Sequence, residues 1–130
     1  MKWTATFPLS PVAKGRPRLG KFGAFTPAKT RKAEGELRYF ISQNDPILFE
    51  GAICVAIDFV LVRPASVKPA KRPWPITRPD LDNYCKGVMD AANGILWQDD
   101  SQIVTLMSRK LYGDKPAVKL SVWKKDRAKA

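Results

Sequence analysis

An α+β fold, a two-layer sandwich with two helices on a mixed sheet of about four strands, is predicted by three observations. Stretches of period-two alternation at 1–7, 53–62, 102–112 and 117–124 point to strands. Stretches of helical period at about 27–44 and 80–93 fall between the first three of them. The resulting order, β-α-β-α-β-β, shows no internal repeat and no linker, so residues 1–130 are expected to form one domain around a layered core.

The first strand places Trp3, Ala5 and Phe7 on one side and Lys2, Thr4 and Thr6 on the other, and Pro8 and Pro11 end it. Residues 14–27 mix glycines, prolines and the cations Lys14, Arg16, Arg18 and Lys21, which reads as a basic loop rather than a regular element. Thr26 followed by Pro27 is an N-cap with proline at the first helical position; Ala33, Leu37, Phe40 and Ile41 follow at helical spacing, and Asn44-Asp45-Pro46 stops the helix.

The strand from Ile53 is apolar on both faces, as a central strand should be, and ends at Arg63-Pro64. The proline-rich segment 64–79, with its lone Trp74, is expected to be an extended or mobile surface loop. A second helix begins at Pro79 or Asp80. Its stripe of Leu81, Tyr84, Cys85, Val88, Met89 and Ala92 is buried, its polar side carries Asp82, Asn83, Lys86, Asp90 and Asn93, and Gly94 is its C-cap. The last two strands are expected to pair as a hairpin through the turn Gly113-Asp114-Lys115-Pro116.

Composition narrows the chemistry. Twenty-three Lys and Arg against twelve Asp and Glu give a formal charge of +11, which favours a polyanionic partner because each neutralised phosphate releases a condensed counterion. No histidine is present, which excludes Ser-His-Asp and Cys-His nucleophiles, imidazole bases and His-ligated zinc. Cys54 and Cys85 lie in apolar surroundings far apart and read as buried free thiols. No apolar run reaches the roughly 20 residues of a membrane span, and the N-terminal residues lack the apolar core of a signal peptide, so a soluble cytoplasmic protein is expected.

Against this basic background Asp80, Asp82, Asp90, Asp99 and Asp100 cluster within about 20 residues. Carboxylates at a helix start are often only caps, and an Asp-rich turn is common. Phosphodiester cleavage, however, calls for a hard cation such as Mg²⁺ held by carboxylates converging from different elements, and Asp80, Asp82 and one of Asp99 or Asp100 supply such a set. Lys86 stands one turn after Asp82. It either forms an ordinary i, i+4 ion pair with Asp82, or orients that carboxylate, contacts phosphate or steadies transition-state charge.

The residues Arg78-Pro79-Asp80-Leu81-Asp82-Asn83-Tyr84-Cys85-Lys86, with Asp90 four residues on and then Asp99-Asp100-Ser101-Gln102, resemble the signature of the RusA family of Holliday-junction resolvases. Upstream, Lys14-Gly15-Arg16-Pro17-Arg18 and Phe25-Thr26-Pro27 resemble its phage-type branch, so the likeness spans most of the chain. The resemblance implies a homodimeric, Mg²⁺-dependent endodeoxyribonuclease that nicks a four-way junction symmetrically, with Mn²⁺ as a possible substitute. It places the essential carboxylates on Asp80, Asp82 and Asp100 and the functional lysine on Lys86, with Asn83, Asp90 and Asp99 supporting.

Gly15 to Lys21 imitates a P-loop but puts Phe22 where Ser or Thr is required, so no nucleotide cofactor is expected. Lys14, Arg16, Arg18, Lys21, Arg31 and Arg78 are instead expected to meet DNA phosphates, with Lys29 and Lys32 beside them. Trp74 reads as a platform for an unpaired base, or as packing under its own loop or against a partner subunit. Two alternatives to a junction resolvase stand: a non-catalytic basic nucleic-acid-binding module, and a metal nuclease specific for forks or flaps.

Overall fold

The computed structural model describes residues 1–14, 18–20, 23–25 and 28–126, the two short segments by their backbone. Its elements are β1 (Lys2–Phe7), β2 (Arg18–Gly20), β3 (Gly23–Phe25), α1 (Ala28–Ser42), β4 (Ile53–Val62), α2 (Leu81–Ala92), a 3₁₀ turn at Asp100–Gln102, β5 (Ile103–Gly113) and β6 (Ala117–Lys124). The α+β class, the two helices and the mixed four-strand sheet are as the periodicities predict. Within the expected basic loop, β2 and β3 form a small separate antiparallel pair. The expected cap at Thr26-Pro27 lies outside the described residues.

Sheet order is β1-β6-β4-β5. β4 is central, parallel to β5 and antiparallel to β6, and β6 in turn pairs with β1. The expected hairpin of the last two strands is therefore corrected: β5 and β6 flank β4 and do not pair with each other. The short 114–116 connection must cross the end of β4, and Gly113 makes the crossing possible. A Cβ built there would stand 2.5 Å from Val60 Cγ1, a separation that real Cβ atoms do not adopt.

The helices pack against each other and, with the sheet, enclose one apolar core. From β4 come Ile53, Val55, Ile57 and Phe59; from α1, Leu37 and Ile41; from α2, Tyr84, Cys85, Val88, Ala91 and Ala92. Of the predicted α2 stripe, Tyr84, Cys85, Val88 and Ala92 are buried and Leu81 and Met89 half-buried, with Ala91 buried in addition. Leu96 and Trp97 close the core beyond α2, and Trp97 Nε1 donates to Asn93 Oδ1 at 2.7 Å. Gly94 adopts φ 82° just past the C-cap Asn93, so the glycine fills its turn position one residue beyond the cap. Arg38 of α1 donates to the carbonyls of Ala91 and Asn93, both at 2.9 Å, and so supplies the last turn of α2 with the cation that its own sequence lacks.

The proline-rich segment is stapled down. Arg63 donates to the carbonyls of Arg72 and Pro73 and lies 4.4 Å from the Tyr112 ring centroid, Arg72 Nε donates to Tyr112 Oη at 3.0 Å, and Lys110 Nζ donates to the carbonyls of Thr77 and Pro79 at 2.9 and 3.1 Å. It is an exposed loop held by β5, where the composition predicts an extended or mobile surface loop. Those partners are far away in sequence, so local composition could not reveal them.

Candidate active site

Asp80 is the N-cap of α2 with extended backbone (φ −71°, ψ 150°), yet its carboxylate makes no capping hydrogen bond. The cap reading is thereby set aside for this side chain. Its backbone carbonyl still accepts from the amides of Asn83 and Tyr84. Asp82 follows in the first turn, exposed to solvent beside Asn83. Two acidic groups therefore stand at the N-terminal end of a helix.

The paired aspartates have separate duties. Asp99 caps the 3₁₀ turn by accepting from the Ser101 amide at 3.2 Å, while Gln102 Oε1 accepts from the amides of Gln98 and Asp99. This capping box engages Asp99 through Oδ2, and the hydrogen bonds from Ser101 hold its carboxyl below the ordinary 3.8. Gln102 Nε2 then donates to the carbonyls of Phe49 and Gly51, which fixes the turn on the rest of the fold. Asp100 is left to turn toward α2, where its Oδ2 lies 3.8 Å from Lys86 Nζ.

Lys86 belongs to a chain of alternating charges. Its Nζ meets Asp90 Oδ1 at 3.0 Å, Asp90 Oδ2 meets Lys14 Nζ at 3.2 Å, and Lys14 Nζ meets Glu34 Oε1 at 3.1 Å. The Asp90 hydrogen bond, with its charge, holds the Lys86 ammonium above the usual lysine range, and Asp100 adds to it. For Lys14 burial opposes the charge, but the bonds to Glu34 and Asp90 outweigh it and raise this pKa too. The i, i+4 partner of Lys86 is Asp90, one turn on, rather than the Asp82 that the spacing suggests, and its ammonium approaches Asp100 as well.

Lys14 reaches this chain because the segment before it lies against α2. Its amide donates to the Asn83 carbonyl at 3.0 Å, and a Cβ at Gly87 would come within 3.2 Å of the Val12 carbonyl oxygen. Glycine at 87 thus lets the backbone of 12–14 approach the helix. Lys14, expected on the DNA surface, has its ammonium engaged by two carboxylates. Arg31 and Arg78 are exposed, Arg18 is described by its backbone in β2, and Arg16 and Lys21 lie outside the described residues.

Beneath α2, burial pushes the Cys85 thiol up, and it donates to Ser108 Oγ at 3.1 Å; the bland reading of both cysteines as buried free thiols holds. Residues to which sequence reasoning gave no role are Glu34, Gly87, Gln102 and Lys110. Gln102 had a signal, since Asp-x-x-Gln is a capping-box spacing. The others depend on tertiary neighbours.

Among the described residues no group of three His, Cys, Asp or Glu side chains stands close enough to hold a metal ion, so Asp80, Asp82 and Asp100 do not form a ready-made cage. The donor chemistry nonetheless fits a hard cation. Asp80 is free of capping, Asp82 is exposed, and Asp100 has a long ion pair as its recorded contact. Mg²⁺ suits such an open arrangement, because it keeps several waters and takes one or two carboxylates together with substrate phosphate.

Residues 8–123 match the family described as Endodeoxyribonuclease RusA. A protein of Bacillus subtilis (strain 168), named as the uncharacterized protein YqaN, is 34% identical over 126 residues, which covers 86% of this chain and 89% of the relative. No helix among the described residues is long and apolar enough to cross a membrane.

Proposed function

Because the chain belongs to the RusA endodeoxyribonuclease family, we propose that it is a divalent-metal-dependent, structure-specific nuclease that resolves four-way DNA junctions by paired symmetric nicks in recombination and repair. Residues 1–130 act as one catalytic unit on DNA in the bacterial cytoplasm. The observation that carries the reading is the division of labour at the paired aspartates: Asp99 serves the fold, and Asp100 leans toward the helix that Asp80 and Asp82 open.

Asp80, Asp82 and Asp100 would hold the cation, Mg²⁺ with Mn²⁺ as a substitute. When bound, it would neutralise charge on the scissile phosphate and supply an activated water. Lys86 holds a positive charge beside Asp100 and stays protonated through the neutral range, so it can bind a phosphate oxygen and steady the charge that grows there. Asp90 sets where that ammonium points, and Lys14 and Glu34 anchor Asp90 in turn. Arg78, exposed just ahead of Asp80, faces the incoming backbone.

Two nicks related by a dyad require two copies. The sheet edge supports a second copy: β5 is an edge strand, and Val104, Leu106 and Met107 on it are exposed.

The test incubates wild type and Asp82→Asn with a four-way junction, a fork, a flap and a duplex in Mg²⁺. Nicking of the junction in two opposed strands by wild type, lost in a folded Asp82→Asn that still binds, supports the proposal. Retained nicking by Asp82→Asn overturns the site. Preferred cleavage of forks or flaps overturns the substrate, and salt-sensitive binding without any cleavage makes the protein a binding module.

A further inference from the structure

We propose that the groove between the proline-rich loop and β5 is a binding site for one unpaired nucleobase of the DNA strand whose phosphate reaches Asp80, with the Trp74 indole as its stacking platform. The inference rests on the nuclease reading and adds a site for the base at the branch.

The groove encloses about 480 Å³, and its walls include Trp74, Ile76, Arg78, Asp80, Ser108 and Lys110. The lining thus includes both the N-cap residue of α2 and an aromatic residue. Trp74 is 58% exposed and Ile76 82% exposed, although each carries a large apolar side chain. The other indoles are placed differently: Trp3 Nε1 donates to Asn44 O, Trp97 is fully buried, and the Trp123 ring lies under Lys2 Nζ. Among the described residues no hydrogen bond, ring or cation engages the Trp74 indole.

Exposure of this kind usually goes with a loose loop, and this loop is not loose. Pro75 is buried next to the indole, and the Ile76 amide closes a tight turn on the Trp74 carbonyl at 2.9 Å. On one side Arg63 holds the carbonyls of Arg72 and Pro73; on the other Lys110 holds those of Thr77 and Pro79. The ring is presented to solvent on a backbone fixed at both ends, so little conformational entropy is left to lose on binding.

Charge identifies the occupant. Arg78, exposed, lines the same groove as the indole and Asp80, and the chain carries +11. A planar aromatic ligand with an attached anion fits this combination, and a nucleotide within a DNA strand has that composition. Stacking tolerates any base, because every base has a π face. The site therefore selects unpaired DNA over paired DNA, without reading sequence.

The experiment measures binding in an Asp82→Asn background without Mg²⁺, using a duplex with one unpaired thymine and the matching fully paired duplex. Trp74→Ala should weaken binding of the unpaired-base DNA by roughly 5- to 150-fold, the equivalent of about 1 to 3 kcal/mol. The paired duplex should change by less than about twofold, and Trp74→Phe should restore most of the loss. Indole emission should also be quenched by the unpaired-base DNA in the parent and not in Trp74→Ala. Equal losses on both DNAs, or none, overturn the inference. Junction nicking by the chain with native Asp82 is scored separately: its absence sinks the nuclease reading, while the selective binding loss still decides the groove.

Discussion

Replacing Asp90 by Asn keeps the size of the side chain and removes one charge from the middle of the row Glu34, Lys14, Asp90, Lys86, Asp100. Asp90 is 19% exposed and Lys14 21%, whereas Lys86 is 55% exposed. The outer pair, at 3.0 Å, is thus close to a surface i, i+4 pair worth about 0.3 to 0.5 kcal/mol. The inner pair, at 3.2 Å, lies between the exposed and buried extremes, and Lys14 keeps Glu34 when Asp90 is neutralised. About 1 kcal/mol is reasonable for it. The total is about 1 to 2 kcal/mol, or roughly 4 to 8 °C in melting temperature for a chain of this size.

The pH dependence has a definite sign. Lys14 and Lys86 are both held above their ordinary 10.5, so the stability they contribute is fully present below that value. It is lost as pH rises through the folded values. The gap between wild type and Asp90→Asn should be constant near neutrality and close in the alkaline range above about 10.5. Thermal melts at several pH values measure the gap, and junction nicking should fall with junction binding kept, because Lys86 loses its anchor. A variant that melts with wild type at pH 7 and nicks normally would refute the role given to this charge row.

Three further outcomes are expected. Gly113→Ala should cost about 1 to 3 kcal/mol in a denaturant melt, because the new methyl meets Val60 at the crossing over β4. Gly87→Ala gains about 1 kcal/mol of helix propensity but presses on the Val12 carbonyl, so its stability should change little while nicking falls through displacement of Lys14. Leu106→Lys with Met107→Lys, on the exposed edge strand, should convert a dimer into a monomer by light scattering with the fold retained by circular dichroism; a wild-type monomer would contradict the paired-nick proposal.

Local pattern carried the elements well and their arrangement less well. The α2 stripe was legible because helical period maps directly onto burial, and β4 was legible as central because it is apolar on both faces. The link from Gly113 to Pro116 has hairpin length, so it resembles a turn between paired strands. Its crossing of β4 depends on the missing Cβ of Gly113 against Val60, a contact about 50 residues away in sequence. The acidic cluster was likewise visible as residue types, and the proposed choice of Asp100 over Asp99 rests on the local hydrogen bonds of Ser101 and Gln102. The role of Asp90 as a bridge between two lysines required the approach of 12–14 to Gly87, which no spacing encodes.

The most direct test sets Asp100→Asn against Asp99→Asn in one Mg²⁺-dependent junction-nicking assay, with junction binding and melting temperature measured on the same samples. Asp100→Asn should bind and melt like wild type and nick roughly a hundredfold or more slowly. Asp99→Asn should nick within about tenfold of wild type, with its cap weakened and its melting temperature lowered. The opposite pattern, with Asp99→Asn inactive and Asp100→Asn active, would contradict the assignment of the site.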